Sequence, residues 1–210
     1  MPELKQSRLT AGRLAAFIVA SCVTCRSTAA EVVISFESDL VDTKAYAFTS
    51  VDSPLATFSN ANLLWVREGL PEFDGVGIET WGPTGITIEF AMPIVSLSIL
   101  FGNDDPAFPE DRALLSAFYG DDFIGQETLL FNRNDLPDQT ITMTPHAPFN
   151  KAVFDYVDSS LTPVSGLGEV ISEIRFQVVP EPSSLMLVGT FSLFVAVDSR
   201  FRRSRRSGPV

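Results

Sequence analysis

Asn103, Asp104, Asp105, Glu110 and Asp111 crowd into one short stretch, and Asp121 and Asp122 into another. Hard oxygen ligands clustered in loops suit Ca²⁺, which takes about 6–8 of them. Asn103, Asp104, Asp105 and Asp111 are the candidate calcium ligands, with a plain solvated loop as the alternative. Asp158–Glu169 has the first-to-last spacing of an EF-hand loop, but Pro163 stands where that turn needs glycine. Its flanks also read as strands, so it is set aside. A second constellation is aromatic. Trp81 abuts Gly82-Pro83, and Tyr119 abuts Gly120. Aromatic rings can stack on a sugar: Trp65, Trp81 and Tyr119 are candidates, with Tyr46 and Tyr156 behind them, and Trp81 and Tyr119 form the candidate glycan platform. The alternative for an aromatic is the core, where most of the 17 phenylalanines must go. Trp65, between Leu64 and Val66, reads that way.

Other chemistry is excluded by what is missing. The one histidine, His146, lies between Pro145 and Pro148, so no His-metal cluster or H-E-x-x-H site exists. There is no G-x-S-x-G elbow, and His146 reads as an exposed loop residue rather than a triad base. Gly75-Val76-Gly77 lacks the third glycine of a phosphate loop. The stretch Glu31–Val179 holds 23 carboxylates, so some pair is bound to be spaced for glycoside hydrolysis and the spacing carries no information. No catalytic residue is assigned, and calcium is the one candidate cofactor.

The elements that must position these residues are strands. Val32, Ile34 and Phe36 alternate with Val33, Ser35 and Glu37. The same period of two recurs at Ile86–Phe90, Val95–Ile99, Thr140–Thr144 and Ile174–Val178. It means one face buried and one wet, as in antiparallel sheets. Ala56–Phe58, Leu63–Val66, Leu114–Tyr119, Phe123–Leu130 and Ala152–Val157 complete about ten expected short strands. Breaker-rich stretches separate them, at Pro71–Gly77, Gly82–Gly85, Asn103–Asp111, Gly120–Asp122 and Pro163–Gly168. Gly120-Asp121-Asp122 reads as a tight hairpin, and the proline-rich run Leu136–Pro148 as an edge strand with a flanking loop. The expected fold is an all-β antiparallel β-sandwich or jelly roll, with a barrel as the alternative.

The two ends differ from this body. Lys5, Arg8 and Arg13 precede a short apolar run, Leu14–Val23. Ser27-Thr28-Ala29 or Thr28-Ala29-Ala30 then offers small residues for cleavage, so residues 1–30 read as a secretory signal peptide and imply the Sec machinery as a partner. Cys22 and Cys25, the only cysteines, fall inside it. Val19-Ala20-Ser21-Cys22 leaves a lipoprotein signal open as an alternative. The mature body is expected at residues 31–178. Glu31–Val179 carries 23 acidic residues against 6 basic ones, a net charge of −17. That excludes nucleic acid as a partner, since phosphates demand Lys and Arg. It suits solubility outside the cell.

The tail, 179–206, has three parts. Pro180-Glu181-Pro182 cannot join a helix or sheet interior and stays extended. The apolar run from Leu185 to Val197 is 13 residues, roughly 20 Å of helix at about 1.5 Å per residue, against about 30 Å for a bilayer core. Arg200, Arg202, Arg203, Arg205 and Arg206 close the chain with the positive charge that is retained on the cytoplasmic side. This order closely resembles the PEP-CTERM sorting signal of Gram-negative bacteria. The resemblance implies an exosortase partner, Pro180, Glu181 and Pro182 as the recognition and processing site, and a transmembrane sorting helix as an inner-membrane intermediate.

A second resemblance covers the body. Met92-Pro93 leading the strand to Ile99, the hairpin Leu115–Gly125, and the closing strand Ile171–Phe176 look like the exported β-sandwich domains of PEP-CTERM proteins, which are similar to jelly-roll carbohydrate-binding modules. Many of those carry Asp-Asn where this chain has Ser172-Glu173. The resemblance implies an exported protein of the cell surface or extracellular matrix, non-catalytic, structural or adhesive, associated with exopolysaccharide. A lectin-like module and a carboxylate-based carbohydrate-active enzyme are the alternatives.

Overall fold

In the computed structural model, residues 29–68, 75–80, 84–102, 110–132, 134, 136–164 and 167–179 are described. They belong to one compact unit, Ala29–Val179. Every regular element among them is a strand: β1 (Glu31–Ile34), β2 (Lys44–Thr49), β3 (Ala56–Glu68), β4 (Val76–Thr80), β5 (Ile86–Gly102), β6 (Arg112–Tyr119), β7 (Asp122–Leu130), β8 (Gln139–Met143), β9 (Phe149–Val157) and β10 (Val170–Val178). The strand pairs are all antiparallel. The period-two pattern sets their faces. In β6, Ala113, Leu115 and Ala117 are fully buried while Arg112, Leu114, Ser116 and Phe118 are half-buried. In β10, Ile174 and Phe176 face the core and Arg175 and Gln177 face water.

The sheet follows the order β1-β10-β4-β3-β5-β9-β6-β7, with β2 on β3, β8 on β5, and β10 also on β5. The long strand β5 explains how one path makes two layers. Its first part, Ile86–Glu89, runs between β3 and β9. Its last part, Ile94–Gly102, runs between β10 and β8. Pro93 stands where the strand changes partners, so its missing N–H interrupts no ladder. The expected Pro-led strand from Met92 is therefore the second half of a strand that starts at Ile86. β3 behaves alike: Ala56–Ser59 pairs with β5, and Leu64–Glu68 with β4. Between the halves, the Asn60 amide donates to the carbonyls of Thr84 and Gly85, replacing a ladder partner.

The halves fold onto each other. Phe101 pairs by register with Ile171 and Gln139, yet its ring lies 5.3 Å from that of Phe154 and 6.1 Å from that of Tyr156, both on β9. The Tyr156 hydroxyl crosses to the Gly102 carbonyl. Phe36 meets Phe58 edge-on at 5.2 Å. The core is this aromatic and aliphatic seam between facing halves.

Two strands go beyond the sequence expectation, β2 and β4. The hairpin at Gly120 conforms to it. Tyr119 pairs with Asp122, and Gly120 has φ 60°, the positive value a type II′ turn places at its first central residue. β8 pairs only with β5, as an edge strand should.

Candidate functional site

Tyr119 is the one candidate platform residue among the described residues; Trp81 lies outside them. It continues the inward row of Ala113, Leu115 and Ala117. At the end of β6 the opposite half no longer covers that row, and Tyr119 is 50% exposed. Across the turn, Phe118 pairs with Phe123 and Ala117 with Gly125, leaving Ile124 as the extra residue of a β-bulge. Such a bulge bends its strand and re-aims side chains. Phe123 stands 57% exposed, its ring edge-on to Phe118 at 5.7 Å.

Two hollows border this bulge. One, about 380 Å³, lies between Phe123–Glu127 and Met143–Ala147. The other, about 410 Å³, is bounded by Pro93, Tyr119, Asp122, Ile124, Ala147, Pro148 and Val179. Ile124 and Ala147 line both, so the two meet along β7. A Cβ added to Gly125 would meet nothing within 4 Å, so glycine there leaves open space. The first hollow offers Gln126, Glu127 and His146 as hydrogen-bonding groups, and the second offers Asp122. Lys151 pairs with Asp121 at 3.3 Å beside the turn. His146 is exposed, as its loop position led us to expect. Tyr119 borders the second hollow from the inward row, whereas Phe123, the cross-strand partner of Phe118, lies against the Phe118 ring on the opposite face. The single flat ring of Tyr119 beside carboxylate and amide acceptors suits a sugar ring and its hydroxyls and suits polyanions poorly.

Of the candidate calcium residues only Asp111 is among the described ones, and it lines neither hollow. Asn103, Asp104 and Asp105 lie outside the described residues. Asp111 precedes β6 and is 7% exposed, with Oδ2 buried and without a hydrogen-bond partner. Burial, then repulsion from Asp158, pushes its carboxyl above the usual range. Among the described residues no three His, Cys, Asp or Glu converge to hold a metal. The tail residues Pro180, Glu181, Pro182, Leu185, Val197, Arg200, Arg202, Arg203, Arg205 and Arg206 also lie outside the described residues, as do residues 1–28 of the stretch expected to be a signal peptide. Among the described residues no helix is long and apolar enough to cross a membrane.

Trp65 is not core. It is half-buried on the face opposite Leu64 and Val66, with Lys44 Nζ 4.0 Å and the Arg67 guanidinium 4.5 Å from its ring centre. Tyr156 is fully buried. Sequence reading also passed over the buried acids. Glu79 is 4% exposed and is held by Arg67 at 2.5 Å. Glu169 is fully buried beside Asp155; burial, reinforced by the Asp155 charge, pushes its carboxyl up to about 9. Burial likewise raises Asp155. A lone glutamate after a glycine-rich turn gives no sequence signal of this.

Neither a protein-family model nor a curated protein matches the sequence. Among solved structures, the chain is similar to an arabinose-bound α-L-arabinofuranosidase, MgGH51, at TM-score 0.45 and 12% identity over 70% of this chain. It spans 26% of that enzyme's chain. It is similar to the K2 cleaved adhesin domain of Lys-gingipain at TM-score 0.41 and 13% identity, covering 70% of this chain and 99% of that one. The K1 cleaved adhesin domain from Porphyromonas gingivalis gives TM-score 0.34 and 10% identity, covering 72% and 99%. Similarity of this degree carries over neither ligand nor activity.

Proposed function

We propose that the protein is an exported, non-catalytic β-sandwich of the jelly-roll kind, sorted by an exosortase to the cell surface or extracellular matrix, where it acts as a structural or adhesive partner of exopolysaccharide. The observation that carries the binding part is the open groove along β7, with Tyr119 half exposed at its border beside Asp122. A half-exposed ring beside hydrogen-bond acceptors offers a sugar an apolar face and polar partners together. The acidic body favours a neutral or amine-bearing chain over an acidic one.

The test is retention of the protein on immobilised neutral and acidic polysaccharides. Aromatic contacts add about 0.5–1.5 kcal/mol beyond area burial, so Tyr119→Ala is expected to weaken retention about threefold to tenfold, while Phe123→Ala, on the opposite face, is the control that leaves retention unchanged. The melting midpoint should barely change, since both rings are exposed. Unchanged retention in folded Tyr119→Ala would sink the groove as the contact surface.

The sorting part rests on the tail sequence. Intact mass is expected to show a chain starting near Ala30 or Glu31 and ending near Pro180–Pro182 only when the host contains an exosortase. Persistence of the arginine cluster in both hosts would make the tail a plain anchor. A lipid adduct on Cys22 would replace the signal peptide with a lipoprotein signal.

A further inference from the structure

We propose that Thr80, Asp155 and Glu169 form a binding site for a hard divalent cation, Ca²⁺ by the chemistry of their oxygens. The site is remote in sequence from Asn103–Asp111 and does not depend on the β7 groove. Glu79 and Val170 are ladder partners, and the next step of that ladder is closed by Thr80 N donating to the Glu169 carbonyl at 3.0 Å. Thr80 and Glu169 therefore stand opposite each other, with side chains on one face and Cβ atoms about 4.5–5.5 Å apart. Both residues are fully buried. Asp155, on β9, brings its carboxyl within hydrogen-bonding reach of Glu169.

Four buried oxygens result: Thr80 Oγ1, Asp155 Oδ1, and both carboxylate oxygens of Glu169, none with a hydrogen-bond partner. The N–H groups of Tyr156 and of Glu169 itself face the Glu169 carboxyl and offset its burial only in part. The ion pairs among the described residues are Arg67–Glu79, Lys151–Asp121 and Arg175–Glu173, so no base among the described residues answers the pair. Burying such groups unanswered is costly. A proton shared by the two carboxyls would join one oxygen of each and leave Thr80 Oγ1 orphaned. A dication answers all four oxygens and cancels both negative charges. The donors are all oxygen, which selects Ca²⁺ over thiophilic metals; water or main-chain carbonyls would complete the shell. Asp155 is only half-buried, which leaves a path from solvent.

The experiment is thermal denaturation of the full-length chain in EDTA and in Ca²⁺, with the calcium content of the purified protein measured by elemental analysis. Ca²⁺ at a hundred times its Kd is expected to raise the midpoint by roughly 5–10 °C, with one ion per chain and a weaker response to Mg²⁺. Glu169→Gln keeps the shape, removes a charge, and is expected to abolish the Ca²⁺-dependent shift. Thr80→Val, which changes no charge, should weaken Ca²⁺ binding several-fold. Equal midpoints in EDTA and Ca²⁺, or a shift retained in Glu169→Gln, would overturn the site. So would a midpoint that falls from pH 5 to pH 9 alike in both buffers, the signature of a shared proton alone.

Discussion

Phe154→Ala is expected to remove about 3–5 kcal/mol of stability, the usual cost of deleting a buried phenyl ring. The position concentrates what holds the two halves together. Phe154 is fully buried on β9, which lies between β5 and β6. Its ring meets Phe101 from the other half of β5 at 5.3 Å and Tyr156 at 5.6 Å. Phe131 closes the cluster on Tyr156 at 4.8 Å. The backbone around the site is fixed by ladders on both sides, so the cavity cannot collapse easily. Marginal domains hold only about 5–15 kcal/mol in all, so the variant should be partly unfolded on mild warming. Equilibrium urea unfolding is the measurement. A lower midpoint with an unchanged slope is the expected result. A loss below about 1 kcal/mol, the range of a surface change, would mean that the halves do not meet at Phe154.

The fold class was legible because period-two alternation is a direct consequence of one buried face. It is clearest in β6 and β10, where the buried rows are the apolar ones read from sequence. β4 was illegible for the opposite reason. All five residues, Val76 to Thr80, are buried, so Glu79 and Thr80 interrupt no visible pattern and the flanking glycines read as breakers. β2 failed at the other extreme: it is a mostly exposed edge strand with Tyr46 in a bulge, and its one-sided burial is slight. The splitting of β3 and β5 into halves has a physical cause too. Each half has its own partners, so Asn60 and Pro93 look like strand ends although the chain runs through them.

Of the sites, Tyr119 was legible from its turn, because Gly120 marks the end of β6 and the end of coverage. Phe123 was not singled out, since exposure there depends on the Ile124 bulge, a register feature no composition reveals. Trp65 misled for a simple reason: its neighbours Leu64 and Val66 are core, and period two then puts Trp65 on the other face. The Thr80–Asp155–Glu169 cluster joins three segments far apart in sequence. Only strand pairing assembles it.

That pairing is open to a test that does not touch the clustered oxygens. Gly168→Ala is expected to cost about 2–3 kcal/mol, as overpacking against fixed atoms does, and to lower the midpoint by roughly 5–10 °C in a chain of this size. A Cβ at Gly168 would come 2.3 Å from the Thr80 carbonyl oxygen, a main-chain atom tied into the ladder. No side-chain rotation relieves that contact; either β4 or the segment leading into β10 must move. Gly125→Ala is the matched control. Its added methyl meets nothing within 4 Å, and loss of glycine freedom in the unfolded chain should leave it neutral or up to about 1 kcal/mol more stable. Opposite signs for one chemical change would show that the cost at Gly168 is steric. If Gly168→Ala melts like the parent, Thr80 does not sit against Gly168. Glu169 then has no reason to face Thr80, and the cation site loses its frame along with the ladder.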